Sequence, residues 1–315
     1  MGGLTRALAA RAVQALLVAL VVGIACFAMV RLLPGDMAFR IAAGRYGIDL
    51  VSGAAADAVR VELGLDRPWW QQLGAWLGGL IRFDLGVSLV SGDPVVDELK
   101  TYLGHTILLA VVALGISVLV GPPLGAWLGA RAGSAADRAG LVASAVLRAL
   151  PAFVVGIGLI LVFAVGLGWL PAAGVGGWQE VVLPAVTLAL GLAAVSSRVA
   201  RDAVAAALHA EPAEFARRKG LPEGAVRRRH VWRNAAVPVV AYLGVQLVAL
   251  IEGVVIVETL FAWPGIGHAL VHAVVARDVP MVQGTALVMG LLFVALNALV
   301  DLLTLLIDPR RRSAA

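Results

Sequence analysis

Few residues of this 315-residue chain could do chemistry, and they fall into three groups. Two carboxylates, Glu252 and Asp301, interrupt long apolar runs. An ionised group at the centre of a membrane span costs about 2.5–3.5 kcal/mol, so each acid is a functional candidate. Glu252 lies six residues before Glu258, about 9 Å along a helix from it, whereas Asp301 is read as a buried acid paired near one face. His268 and His272 stand four apart, a spacing at which two imidazoles of one helix can share a metal. With no third ligand nearby, they are weak metal candidates only. The third group is basic, since Arg198 to Arg233 also holds Arg201, Arg217, Arg218, Lys219, Arg227, Arg228 and Arg229.

Catalytic machinery is missing from the sequence. The only lysines are Lys100 and Lys219, and no G-x-x-x-x-G-K-[ST] occurs, so no phosphate-gripping loop is present. Neither H-E-x-x-H, C-x-x-C nor G-x-S-x-G is found, and the single cysteine, Cys26, lies inside the first apolar run. The chain reads as a conduit and not an enzyme.

The elements that must position these groups follow from composition. The chain is 61% hydrophobic and 14% charged, with a mean hydropathy of +0.93. A soluble domain carries about 25% charged residues, so this surface faces lipid. Its net charge of +5 therefore concerns membrane orientation, not nucleic acid. Apolar runs of about 20 residues cross a bilayer as helices, and six are expected. They are Ala12 to Val30, a run within Thr106 to Ala130 with a kink or stop at Pro122-Pro123, Arg148 to Trp169, Val181 to Ser197, Ala235 to Val257, and Met281 to Ile307. The first is expected to remain as an anchor.

Cytoplasmic loops collect Lys and Arg, so the basic 198–234 loop is expected inside, with both termini. The predicted divisions are a cytoplasmic amino terminus at 1–11, a first span at 12–33, an outer cap at 34–104, a five-helix core at 105–307, and a cytoplasmic tail at 308–315. In the cap, acids outnumber bases nine to six. Trp69, Trp70, Leu73, Trp76, Leu77 and Leu80 recur there at helical spacing. Those tryptophans either pack the cap or meet the interface or a partner.

Within the basic loop, Glu211 to Arg218 predicts a short helix with acids at its start, favourable to the helix dipole. A glycine turn at Gly220-Leu221-Pro222-Glu223-Gly224 and a second helix carrying Arg229, His230 and Arg233 follow.

Glu214-Phe215-Ala216-Arg217-Arg218-Lys219-Gly220 resembles the E-A-A-x-x-x-G signature of permease subunits of ATP-binding-cassette importers, with Phe215 in place of alanine. Arg229-His230-Val231-Trp232-Arg233-Asn234 and Glu258-Thr259-Leu260-Phe261-Ala262-Trp263-Pro264-Gly265-Ile266-Gly267 are similar to the dipeptide, oligopeptide and nickel branch. So are Arg31-Leu32-Leu33-Pro34-Gly35-Asp36 and Asp84-Leu85-Gly86-Val87-Ser88. The long segment after the first span fits the first permease of such pairs.

The resemblance implies a six-helix all-α permease of the type I importer fold in the inner or plasma membrane. Its implied partners are a second homologous permease, two ATPase subunits, an external binding protein and membrane lipid. ATP and magnesium would bind the ATPases, with no cofactor on this chain. Glu214, Phe215, Ala216, Gly220, Leu221, Arg229, His230, Arg233 and Asn234 would couple to the ATPases. Glu252, Glu258, Trp263, Pro264, Gly265 and Gly267 are expected at the pathway and its gate. The glutamate at 252 departs from the small residue usual in the family. Peptide is the first cargo expected and nickel or a metal chelate the second. An ion-coupled secondary carrier is a more distant reading.

Overall fold

The computed structural model describes residues 2–32, 35–47, 51–62, 66–82 and 84–307. The side chains of Glu252 and Asp301 lie outside the described residues. The described residues form helices α1 (Gly2–Leu32), α2 (Met37–Tyr46), α3 (Gly53–Glu62), α4 (Trp69–Ile81), α5 (Val95–Gly129), α6 (Ala135–Ala149), α7 (Ala152–Leu159), α8 (Trp178–Leu208), α9 (Glu211–Arg218), α10 (Glu223–Val226), α11 (Trp232–Leu260), α12 (Ile266–Ala276) and α13 (Val279–Ile307). Wider π-helical turns extend α7 at Ile160–Gly166 and join α10 to α11 at Arg227–Val231. No strand occurs among the described residues beyond one isolated bridge, Val87 with Pro94.

Among the described residues four helical stretches are long and apolar enough to cross a membrane: Arg11–Met29, Val95–Gly129, Trp178–Leu208 and Val279–Val300. The pair Ala135–Ala149 and Ala152–Gly166 adds a fifth if it is one broken span. The 29-residue α11 covers the fifth run of the sequence.

Three expectations change. Pro122 and Pro123 neither stop nor end a helix, because α5 runs unbroken from Val95 to Gly129. A proline removes one backbone donor and crowds the preceding turn, and the rest of this long helix supplies enough hydrogen bonds and packing to carry both. The third run is not one straight helix starting at Arg148. Its helix starts at Ala135, and the chain bends by 102° at Leu150-Pro151, because the residue before proline is driven out of the helical region. The second loop helix is not separate either. It continues through the π turn into α11, since no glycine or proline occurs from Ala225 to Val237.

The chain packs as two compact units. The first contains Met1–Thr106 and Pro264–Ala295. Here α2 and α3 pack through Ala38, Ile41, Ala42, Ala56 and Val59, while Val95 and Leu99 of α5 meet Ile266, Ala269 and Met281. The unit thus joins the expected cap to a segment that the sequence assigned to the core. Asp278 holds the join between α12 and α13. It is buried, accepts from the Ser88 hydroxyl at 2.5 Å, and accepts the Met281 N–H of the first turn of α13 at 3.2 Å. Arg277 before it takes a left-handed φ of 55° and donates to the Gly35 carbonyl at 3.0 Å. Trp69 and Trp70 are exposed, so they do not pack the cap, whereas the Trp76 ring lies against Gly23 of α1.

The second unit contains Ile107–Trp263 and Leu296–Ala315. Gly121, Gly125 and Gly129 form one stripe of α5 at four-residue spacing, and each meets α8. A side chain at Gly125 would strike the Ser197 backbone, and one at Gly129 would lie 2.5 Å from the Arg201 carbonyl. Small residues permit this approach, which drives helix association in lipid, where apolar burial supplies little. Asp137, the first-turn acid of α6, accepts from Nε of Arg201 at 2.9 Å and from the same guanidinium's Nη2, fixing α6 to α8. Gln246 of α11 donates to the Leu192 carbonyl of α8 at 2.5 Å.

Gly125→Val is expected to lower the melting temperature of detergent-solubilised protein by about 5 °C or more, from over-packing of at least 1–3 kcal/mol. Gly115→Ala on the same helix, where an added methyl meets nothing within 4 Å, leaves it unchanged. Size-exclusion after a temperature series reads both.

Candidate functional site

The basic loop is built on the end of α8. Its helix runs to Leu208, eleven residues past the expected span end at Ser197. The chain then extends at Ala210 and restarts as α9, with Pro212 in its first turn and Glu211 and Glu214 at its positive end. Ala213 and Ala216 of α9 are buried against Val204, Ala207, Val226 and Val231. Their small side chains let α9 lie close to its neighbours. The helix stops at Gly220, whose φ of 81° is the left-handed value glycine accepts freely. The Leu221 N–H then reaches back to the Ala216 carbonyl at 3.2 Å, and Leu221 joins the same apolar cluster.

Arg217 locks this arrangement. Its Nη1 donates to the Leu208 carbonyl at 2.8 Å, and its Nε and Nη2 donate to the two carboxylate oxygens of Glu223 at 3.0 and 3.1 Å. One guanidinium thus ties the end of α8, the helix α9 and the first turn of α10. Arg227 also approaches Glu223, at 3.4 Å. The Arg217 hydrogen bonds hold the Glu223 carboxyl below the usual glutamate value, with the charges of Arg217 and Arg227 acting in the same direction. Fork-to-fork pairing of this kind adds direction as well as energy.

The opposite face of α9 is open. Phe215 is 60% exposed, with the Lys219 ammonium 4.5 Å over its ring, and Glu214 pairs with Arg218 at 3.5 Å. The structure therefore separates the expected coupling residues by face: Ala216 inward, Glu214 and Phe215 outward, Gly220 and Leu221 at the turn. Arg229, Arg233 and Asn234 are exposed and His230 is half-buried, all on the continuous helix that becomes α11.

The expected gate residues form a junction. Glu258 is fully buried and its backbone carbonyl accepts the Trp263 N–H at 2.8 Å. Ala262 makes the reversal with a left-handed φ of 47°. Trp263 is 2% exposed, packed with Leu183, Leu188 and Phe261. After Pro264, Gly265 starts α12 from an extended conformation, φ −92° and ψ 177°. Gly265 and Gly267 are buried, and the Ile266 N–H donates to the Thr106 hydroxyl at 2.8 Å. The left-handed turn is thus made by Ala262, with neither glycine in that conformation.

His268 and His272 stand side by side with ring centroids 4.4 Å apart, on a cavity of about 530 Å³ that Glu98, Tyr102 and Asp278 also line. Among the described residues no group of three His, Cys, Asp or Glu is placed to hold a metal. Sequence reading missed Arg217 as a lock, because nothing local shows that it reaches both Leu208 and Glu223. Its signal was only the acid six positions downstream.

Comparison with known proteins agrees with this architecture. Residues 121–313 match the family described as binding-protein-dependent transport system inner membrane component. A protein of Brucella abortus (strain 2308), named as a peptide transport system permease protein, is 40% identical over 311 residues, covering 96% of this chain and 97% of its own. The glutathione transport system permease protein GsiC of Pectobacterium atrosepticum is 37% identical over 293 residues, covering 93% and 94%. A crystal structure of an amino acid ABC transporter with histidines shares the fold at a TM-score of 0.55 and 17% identity, over 66% of this chain and 94% of that one.

The Arg217–Glu223 pair yields a pH signature. Because the folded Glu223 value is depressed, the pair's contribution is complete above the unfolded glutamate value of about 4.3. It is lost as pH falls through the folded value. Hydrogen exchange, corrected for its intrinsic pH dependence, should show α9 amide protection falling below about pH 4. Glu223→Gln should remove that change, and Arg217→Ala should raise α9 exchange several-fold at neutral pH.

Proposed function

The chain belongs to the binding-protein-dependent transport system inner membrane components, and on that premise we propose that it forms half of a peptide importer's translocation pathway. It is a multi-pass membrane permease of the ABC importer class and a transport subunit, not an enzyme. A second homologous permease completes the pathway, two ATPases dock on the inner face, and an external binding protein delivers cargo. ATP and magnesium act on the ATPases. Both termini and the 198–234 loop face the cytoplasm, a reading supported by the basic residues gathered there. Peptide cargo is favoured by the name of the Brucella relative and by glutathione, itself a peptide, in the name of the other. Nickel or a metal chelate is the alternative. An ion-coupled carrier would need neither ATPase nor binding protein, and family membership sets it aside.

The observation that carries the mechanism is the locked and outward-facing α9. Its inner face is held by Ala213, Ala216 and Arg217, while Glu214 and Phe215 are presented to solvent. A docking helix must be stiff to transmit motion, and α9 is tied to α8 and, through Glu223, to the helix that continues as α11. Closure of the ATPases would draw the two permeases' loops together and switch the pathway between inward-facing and outward-facing states, a rigid-body transition. The role of Arg229, His230, Arg233 and Asn234 would be to complete the docking surface beside α9. The junction from Glu258 to Gly267 would close the outer mouth.

Gly220 tests the coupling. A side chain there meets nothing within 4 Å, so substitution acts through the left-handed backbone alone, a cost of about 1–2 kcal/mol. In the reconstituted importer, Gly220→Leu should leave subunit composition and ATP hydrolysis intact while ATP-driven uptake of labelled tripeptide falls at least several-fold. Gly220→Asn, tolerant of the same backbone, should fall less. Normal uptake by the leucine variant would remove the coupling assignment.

A further inference from the structure

A cavity of about 410 Å³ opens among α6, α7, α8 and α11 of the second unit, within the size range of small-ligand sites. Its walls are mainly aliphatic, and among the described side chains that line it there is no carboxylate. Gly191 of α8 contributes open space, since a side chain there would meet nothing within 4 Å. The groups able to bind a polar cargo are Arg148, Tyr242 and Thr187.

Arg148 is the unusual member. It is the only charged residue from position 139 to position 179. Charge pattern alone reads it as the flank of a span, but the helix begins at Ala135, so the arginine sits inside the bent pair, two residues before the break at Leu150-Pro151. The guanidinium makes no ion pair and no side-chain hydrogen bond among the described residues. An arginine within a membrane-spanning element normally faces a watered cavity and pairs with something. Here Arg148 is exposed on the cavity, and among the described residues no anion faces it.

We propose that Arg148 binds the carboxylate of cargo inside the pathway, in the first instance a peptide's C-terminal carboxylate, with the Tyr242 hydroxyl available beside it. A guanidinium suits this task because its fork matches two carboxylate oxygens and it stays charged when partly desolvated. The proposal rests on the importer reading and adds the chemical group recognised in the membrane.

The test uses the complete importer, both permeases, the ATPases and the binding protein, in proteoliposomes supplied with ATP. Uptake of a labelled tripeptide is compared for wild type, Arg148→Gln and Arg148→Lys, together with subunit composition. Arg148→Gln should lose uptake at least about tenfold, the scale of one charge-assisted hydrogen bond, in a complex of normal composition, and Arg148→Lys, which keeps the charge without the fork, should lose less. Uptake by Arg148→Gln equal to wild type overturns the proposal. So does equal loss in both variants, which would mark a packing role. Loss of the partner permease from the Arg148→Gln complex also overturns it, marking an interface charge. A wild-type complex that takes up no peptide fails the peptide reading itself, and the proposal with it.

Discussion

The second unit depends on backbones that touch. Gly125 and Gly129 let α5 lie against the backbone of Ser197 and Arg201 of α8, and Gly121 meets Ala193 and the Ser196 hydroxyl. In water, such contact would be incidental to apolar burial. In lipid it is the association itself, because close contact supplies the dispersion and dipolar energy that the hydrophobic effect does not. Once α8 is placed, other partners follow from single polar contacts. Asp137 brings α6 to Arg201, Gln246 brings α11 to the Leu192 carbonyl, and Arg217 brings α9 to the Leu208 carbonyl. A helix fixed this firmly at one face can carry a lever at its end.

A few buried or part-buried polar contacts carry mechanical roles in this chain. Ala213 and Ala216 bury too little surface to hold an eight-residue helix by themselves, so α9 needs the Arg217 fork and the Gly220 turn. Asp278 does comparable work in the first unit. It accepts from Ser88 and from Met281 at the start of α13, so one buried carboxylate ties the loop at Ser88 to the first turn of that helix. Arg148 has no such duty among the described residues. That contrast is the ground on which cargo binding is proposed for it.

Much of the fold was legible in the sequence because spans are long apolar runs and turns carry proline and glycine. The α9 helix, its acidic start and its glycine stop were all readable locally. The candidate site was legible as a list of residues but not as two faces. Ala216 and Phe215 are neighbours in the same motif, yet one is buried at 4% and the other exposed at 60%. Prolines were legible only in part: Pro122 and Pro123 do not stop α5, while Pro151 marks a bend of 102°. A local rule gives the cost of proline, and packing around the helix decides whether it is met.

By itself, the sequence determined the solvent, the helical class and the family resemblance, and it carries no phosphate-gripping loop motif. Those properties follow from composition and contiguous motifs, which need no partner in space. Only the tertiary structure decided that Arg217 joins Leu208 to Glu223 and that Pro264–Ala295 packs with the cap. It alone turned Arg148 from the edge of a span into a charge lining an open cavity. Each depends on groups brought together from separate helices, and hydrophobic periodicity says which side of a helix is apolar without saying what will face it.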